Sequence, residues 1–181
     1  MKTSYAALVV FLLAGIHGSA QQASQPAPGP SRQQQLMGYF VGDWTLTGTT
    51  KVSPTSPATP FHSTEHGEWV PGGYFLEIRS VIHGPLGDVH SVRMMEFNPE
   101  KQVYTYNAYN SLGEHEIAIG NVQGNTWTWN VEEKMNGITA NGRYIVTADS
   151  PYAYTFKSEV QKPDGTWVTV REGKATRTGS K

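Results

Sequence analysis

Apolar and polar side chains alternate in short runs from residue 43 to residue 177, and turn signals separate these runs at nearly regular intervals. Spacings of about 8 to 12 residues between turns are typical of a β-sandwich or a β-barrel. A helical period occurs only in a short segment from Gln35 to Phe40, for which Ser31 is a suitable N-terminal cap. The pattern therefore predicts an all-β domain with a short N-terminal helix.

The alternation predicts ten strands, at residues 43–51, 61–69, 74–82, 89–97, 103–109, 113–122, 126–132, 138–148, 152–161 and 167–177. Short connections such as Asn136-Gly137 are typical of hairpins, which favours a simple up-and-down strand order. Because closure removes the exposed edges of a sheet, we expect a single antiparallel up-and-down barrel of the lipocalin-like type. Two packed sheets are the alternative.

The first 32 residues differ in composition from the predicted barrel. Lys2 precedes an apolar run at residues 6–14, and small residues follow at 18–20, which is the pattern of a secretory signal peptide over residues 1–20. A buried helix or a membrane anchor is the alternative interpretation. Residues 21–32 are rich in Gln and Pro and predict a disordered linker, so we expect the barrel domain at 33–178. These features predict an exported protein, periplasmic or secreted, without a membrane anchor.

Composition narrows the range of partners. The 181 residues include 14 Lys and Arg against 15 Asp and Glu, with no basic cluster, which argues against a nucleic-acid partner. Cysteine is absent, so neither a disulfide nor thiol chemistry is available. No sequence feature specifies an oligomeric state.

A Gly-x-Trp sequence, Gly42 to Trp44, opens the first predicted strand directly after the helical segment. This arrangement resembles the start of lipocalin-like (calycin) barrels. The resemblance implies that the Trp closes one end of the barrel and that a basic residue of the last strand packs across it. Arg177 is the expected partner and Arg171 the second choice, and such a contact contributes about 0.5–2 kcal/mol.

Several longer segments resemble one narrower family. This family is an uncharacterised bacterial one, of exported or cytoplasmic proteins, that is described as a domain of unknown function with a lipocalin-like barrel. The resemblance covers roughly residues 36–177 and implies the fold without implying any catalytic residue. The segments that carry it are 70–77, 97–101, 124–129, 155–160, 164–167 and 171–174.

Charged residues share strand faces with large apolar residues, as the polar anchors of a ligand cavity do. Glu77 and Arg79 lie on one face of the third strand with Phe75. Because alternation does not reveal which face is inside, solvent-facing charges are the alternative. An inward Arg would be the best anchor for a carboxylate or another anionic head group. The predicted ligand-binding residues are Glu77, Arg79, Arg93, Arg143 and Glu159.

The histidines and carboxylates form no recognisable metal or acid/base motif. His62, His66 and Glu68 share one strand face, but residues four apart on a strand are about 13 Å apart, too far to bind one metal ion. Glu114 and Glu116 do not pair with the histidine between them, because neighbours on a strand point to opposite faces. We therefore expect no metal, no cofactor and no catalytic residue. The alternatives are a metal site assisted by a bulge at Gly67 and, by analogy with the fold, a haem ligand among the histidines.

The sequence thus predicts a barrel that binds a small hydrophobic or amphipathic ligand. One alternative is an enzyme acting on a lipophilic substrate, which would need a raised pKa at Glu77 or Glu159 beside an arginine. Another is a filled barrel without a ligand. Alternating aromatic residues such as Tyr104, Trp127 and Trp129 fit either core packing or a stacking wall for a ligand.

Overall fold

A computed structural model describes residues 29–135 and 138–179. The predicted signal peptide, the predicted linker as far as residue 28 and the Asn136-Gly137 turn lie outside the described residues. Within the described ranges, no helix has the length and apolar character needed to cross a membrane.

Helix α1 (Arg32–Leu36) is the first element of the described residues, and it continues into a 3₁₀ helix at Met37–Phe40. The hydroxyl of Ser31 accepts a hydrogen bond from the backbone N–H of Gln34 at 3.2 Å, and the Gln34 side chain accepts one from the backbone N–H of Ser31 at 2.6 Å. This reciprocal pair is a capping box, which satisfies two N–H groups at the helix start. The prediction of Ser31 as the cap is confirmed.

Ten strands follow, and all ten predicted strands are present with ends shifted by a few residues. They are β1 Gly42–Thr50, β2 Thr59–Trp69, β3 Phe75–Gly84, β4 Gly87–Asn98, β5 Val103–Asn110, β6 His115–Gln123, β7 Thr126–Met135, β8 Ile138–Ser150, β9 Ala153–Gln161 and β10 Trp167–Arg177.

The ten strands form one closed antiparallel barrel in chain order. Each strand pairs with its sequence neighbours, and β1 pairs with β10 to complete the circle, so the two-sheet alternative is wrong. At this closing seam Gly48 lies directly opposite Gly173. A Cβ atom on Gly48 would lie 2.0 Å from the carbonyl oxygen of Glu172, so the two strands approach closely only because glycine occupies this position.

Aromatic side chains fill the end of the lumen that the helices cover. The Tyr39 hydroxyl donates hydrogen bonds to the carbonyl oxygens of Ser150 and Ala153, both at 2.9 Å, which ties the 3₁₀ helix to the β8–β9 turn. Beneath it the rings pack edge to face or tilted, the favoured arrangements of aromatic pairs. Each such buried side chain contributes about 1.5–3 kcal/mol through removal of apolar surface from water. Buried rings at this end include Phe40, Trp44, Tyr104, Trp127, Trp129 and Tyr154.

The contact expected between Trp44 and Arg177 is present. The Arg177 guanidinium carbon lies 4.4 Å from the indole centroid. The same side chain donates hydrogen bonds to the carbonyl oxygens of Tyr39, at 2.8 Å, and of Val41. Gly42 has φ 98°, and a Cβ atom there would lie 2.9 Å from Arg177 Nη1, which explains the glycine two residues before the tryptophan. That this pair holds the end of the barrel closed, as a structural latch, stays a prediction.

Candidate ligand-binding site

The barrel lumen contains a cavity of about 90 Å³ beside the aromatic core. One water molecule needs roughly 10–15 Å³ of such space, so several waters or one small polar group fit. Drug-sized ligands occupy larger pockets, of about 300–1,000 Å³. The wall combines apolar side chains, such as Phe61, Ile82 and Phe156, with four charged ones: Glu65, Arg93, Glu116 and Arg171.

The phase of each strand determines which charges enter the lumen. On β2, Glu65 shares a face with the buried side chains of Phe61 and Ser63, so the barrel closure turns it inward. On β10, Arg171 shares a face with the buried Ala175 and therefore points inward, while a β-bulge between Thr169 and Arg171 shifts the register with β9. A bulge adds one residue to a strand and thereby reverses the face of every residue beyond it.

Arg93 is held between two tyrosine rings. Its guanidinium carbon lies 5.0 Å from the ring centroid of Tyr106 and 5.9 Å from that of Tyr144. The Nε atom is shielded from solvent and has no hydrogen-bond partner among the described residues. Burial disfavours the charged form of Arg93, but the negative charge of Glu65 and neighbouring groups outweighs burial and raises its pKa. The cavity wall therefore holds a permanent cation with an unused donor.

Glu65 is the principal counter-charge of Arg93. Burial raises the pKa of the Glu65 carboxyl above its ordinary value, and the positive charges of Arg93 and Arg171 offset part of this shift. The nearby Tyr154 hydroxyl offsets a further part. Glu65 therefore retains its proton to a higher pH than an exposed glutamate does.

The second lumen carboxylate, Glu116, accepts a hydrogen bond from the hydroxyl of Tyr106. Burial, followed by the nearby charge of Glu116, raises the pKa of Tyr106 well above its ordinary value. Burial and the charge of Glu65 likewise raise the pKa of Tyr144. Both phenols therefore stay protonated at neutral pH and act as hydroxyl groups at the cavity wall.

Of the five predicted ligand-binding residues, only Arg93 lies at the cavity. Glu77 and Arg79 lie on the outer face of β3, because their neighbours Leu76 and Ile78 occupy the buried inner face. Arg79 Nε lies 2.5 Å from a carboxylate oxygen of Glu77, and the Arg79 side chain is 67% exposed. The two charges therefore form a surface ion pair, and their role in ligand binding stays a prediction.

Arg143 and Glu159 also lie on the outer face, in a second ion-pair cluster. Arg143 Nε lies 2.5 Å from Glu159, Lys157 Nζ lies 3.0 Å from it, and the Arg143 guanidinium covers the ring of Trp167 at 4.2 Å. Burial alone would raise the pKa of Glu159, but hydrogen bonds from Arg143 and Lys157 lower it overall. Glu159 therefore lacks the raised pKa that the enzyme alternative required of it, and its role in binding a ligand stays a prediction.

Sequence reasoning missed Glu65 and Glu116, and it assigned Arg171 only as a second partner for Trp44. A signal for Glu65 was present on β2, where His62, His66 and Glu68 are all polar and exposed. A strand with one fully polar face must turn the other face to the core, and that other face carries Glu65.

The histidines that we weighed as metal ligands have other contacts. His66 Nδ1 lies 2.6 Å from Asp43, His83 Nδ1 lies 2.6 Å from Asp88, and the rings of His62 and His83 stack at 4.4 Å. Across the ranges 29–135 and 138–179, no three His, Cys, Asp or Glu side chains converge as a metal site requires.

Comparison with known proteins gives a family and a fold. Residues 29–177 match the model of the family described as "Protein of unknown function (DUF1579)". The S-type phycobiliprotein lyase CPES from Guillardia theta is structurally similar, with TM-score 0.58 and 10% identity over 82% of this chain and 94% of that one. Rv2717c from M. tuberculosis is also similar, with TM-score 0.59 and 12% identity over 83% of this chain and 99% of that one. No curated protein matches the chain.

Proposed function

The chain belongs to the DUF1579 family of proteins of unknown function, and from the chemistry of its lumen we propose that it binds a small amphipathic molecule through an anionic head group. The observation that carries the proposal is Arg93, a half-buried cation that borders a cavity and whose solvent-shielded Nε has no partner among the described residues. A buried donor without a partner costs free energy that a ligand oxygen would recover.

The head group would be a carboxylate or a similar planar anion. The guanidinium group presents several N–H donors in a fork that matches two carboxylate oxygens. Arg171 adds a second positive charge at the same wall, and the rings of Tyr106 and Tyr144 lie close to Arg93. The cavity volume of about 90 Å³ limits the enclosed part of the ligand to the head group and a short chain.

The apolar part of the ligand would contact Phe61, Ile82 and Phe156, which share the wall with the charged residues. This mixture favours an amphipathic ligand over the purely hydrophobic one that the sequence also allowed. The solved structures that resemble this chain support the barrel fold on which the proposal depends, and the choice of ligand rests on the residues of this chain.

An enzyme is the second candidate, and Glu65 is the observation that favours it. Its carboxyl group lies at the cavity, has a pKa raised by burial, and stands beside an arginine. A carboxyl group with these properties is suited to acid/base chemistry near neutral pH. The filled-barrel alternative fits the aromatic half of the lumen but leaves the cavity beside it without a role.

Binding is tested by NMR titration of the labelled protein with straight-chain carboxylates from acetate to octanoate, each compared with the primary amide of the same chain length. We expect the carboxylates to bind at least about tenfold more tightly than the amides and to shift the signals of lumen residues. Arg93→Met should remove this preference, while Arg79→Met, which changes an arginine on the outer face, should retain it.

Loss of Arg93 removes the principal counter-charge of Glu65, so we expect Arg93→Met alone to destabilise the fold. The double variant Arg93→Met with Glu65→Gln removes both charges and serves as the second, neutral test protein. Equal affinity for carboxylates and amides in the natural protein, or full carboxylate affinity in the folded double variant, would refute the proposal.

A further inference from the structure

We propose that Glu65 competes with the anionic ligand for the lumen arginines, so that the protein takes up one proton on Glu65 when it binds the anion. This inference rests on the proposed function and adds the regulation of the same site by pH. The charges of the side chains at the cavity wall are its basis.

The described side chains at the wall carry two positive and two negative charges. Glu65 lines the same cavity as both arginines, and their positive charges act on its carboxyl group, so the carboxylate is an internal substitute for the head group of a ligand. Of the strands around Glu65, β1, β3 and β7 contribute uncharged side chains to the described wall, such as Leu46, Ser80 and Val131. The titratable and charged groups that surround Glu65 are Arg93, Tyr106, Glu116, Tyr144, Tyr154 and Arg171.

An anionic ligand would change the net charge at the cavity wall. With Glu65 and Glu116 both ionised, the wall is neutral, so an added carboxylate leaves one uncompensated negative charge among buried groups. Such a charge costs several kcal/mol in a poorly solvated interior. One proton restores neutrality and also frees the two arginines from Glu65, because a neutral carboxyl group attracts a guanidinium only weakly.

The proton goes to Glu65 rather than to Glu116 for two reasons. Glu116 already accepts a hydrogen bond from the hydroxyl of Tyr106, so it has a donor other than the two arginines. At Glu65, burial already raises the pKa, and a second anion beside it acts in the same direction. Glu65 is therefore the group that takes up a proton from the solvent when a carboxylate binds.

The sign of the pH dependence follows from linkage. Below the pKa of Glu65 in the free protein, the carboxyl group is already protonated and affinity for the anion does not change with pH. Above that pKa each binding event must take up a proton, so the association constant falls by up to about tenfold per pH unit.

The test measures butyrate binding by NMR titration between about pH 5.5 and 8.5, with butyramide as the neutral control ligand. We expect the butyrate association constant to fall with pH and the butyramide constant to stay level. Calorimetry in two buffers of different ionisation enthalpy should show the uptake of up to about one proton per butyrate.

Three variants test whether Glu65 is the group that takes up the proton. Glu65→Gln should bind butyrate with no pH slope and at least about tenfold more tightly than the natural protein at the highest pH. Glu65→Asp should restore the slope because it restores a titrating group. Glu68→Gln removes an exposed carboxylate from the outer face of the same strand and should behave as the natural protein does.

The outcomes separate the inference from the proposed function. Butyrate binding that depends on Arg93 but shows the same pH slope with and without the Glu65 carboxyl would overturn the coupling and leave the function standing. No preference for butyrate over butyramide at any pH would overturn both.

Discussion

Replacement of Arg177 by alanine tests whether the Arg177–Trp44 contact holds the covered end of the barrel together. The substitution removes a guanidinium from 4.4 Å above the indole and removes its hydrogen bonds to the carbonyl oxygens of Tyr39 and Val41. The cation–π contact contributes about 0.5–2 kcal/mol, and each hydrogen bond from a charged donor about 1.5–3 kcal/mol. Since neighbouring contributions do not add fully, we expect the free energy of unfolding to fall by about 2–4 kcal/mol.

Urea unfolding followed by tryptophan fluorescence and circular dichroism measures this loss. Arg79→Ala is the matched control, because Arg79 is 67% exposed and makes one ion pair on the outer face. Exposed ion pairs contribute about 0–1 kcal/mol, and we expect the upper end here because the Glu77 side chain is only 18% exposed. Arg177→Lys should lie between the two, since lysine keeps a charge over the ring but lacks the planar fork of donors. If Arg177→Ala costs no more than Arg79→Ala, the pair does not stabilise the barrel and the latch interpretation is wrong.

Two further predictions concern the outer ion-pair cluster and the closing seam. Because hydrogen bonds from Arg143 and Lys157 hold the pKa of Glu159 below its ordinary 4.5, its stabilisation is present above that pH and is lost as the pH falls through the lowered value. Glu159→Gln should therefore flatten the decrease in unfolding free energy between about pH 5 and 3, and an unchanged decrease would contradict this. Gly48→Ala would place a Cβ atom 2.0 Å from a backbone oxygen and should cost about 3 kcal/mol or more in urea unfolding. Gly84→Ala, whose nearest atom lies 3.5 Å away, should cost about 1 kcal/mol or less, and equal losses would show that the seam tolerates a side chain.

The strands were readable from the sequence because each is short, alternates strictly and ends at a turn signal. The pattern from residue 43 to residue 177 contained all ten strands, and the start of the last one, Trp167, was predicted to the residue. Strand ends were less certain, since hairpin strands such as β8 continue pairing past the residues that alternate. The Ser31 cap was readable because capping depends on residues only three apart.

The lumen charges were harder to predict, because alternation defines two faces without saying which face is inside. Glu77 stands between the apolar Leu76 and Ile78 in the sequence and Glu65 stands among polar residues, yet only Glu65 lines the cavity. Alternation places Arg171 on the same face as Arg177, but it does not reveal that Arg171 meets Glu65 and Arg93 at one cavity.

By itself, the sequence determined the number and order of the strands and the Gly-x-Trp start of the barrel, because these depend on contacts between residues near in the chain. Only the tertiary structure decided which charges meet in the lumen. Arg93, Glu65 and Arg171 come from three different strands. Their proximity depends on the register between the strands of the closed barrel and on which face of its strand each side chain occupies.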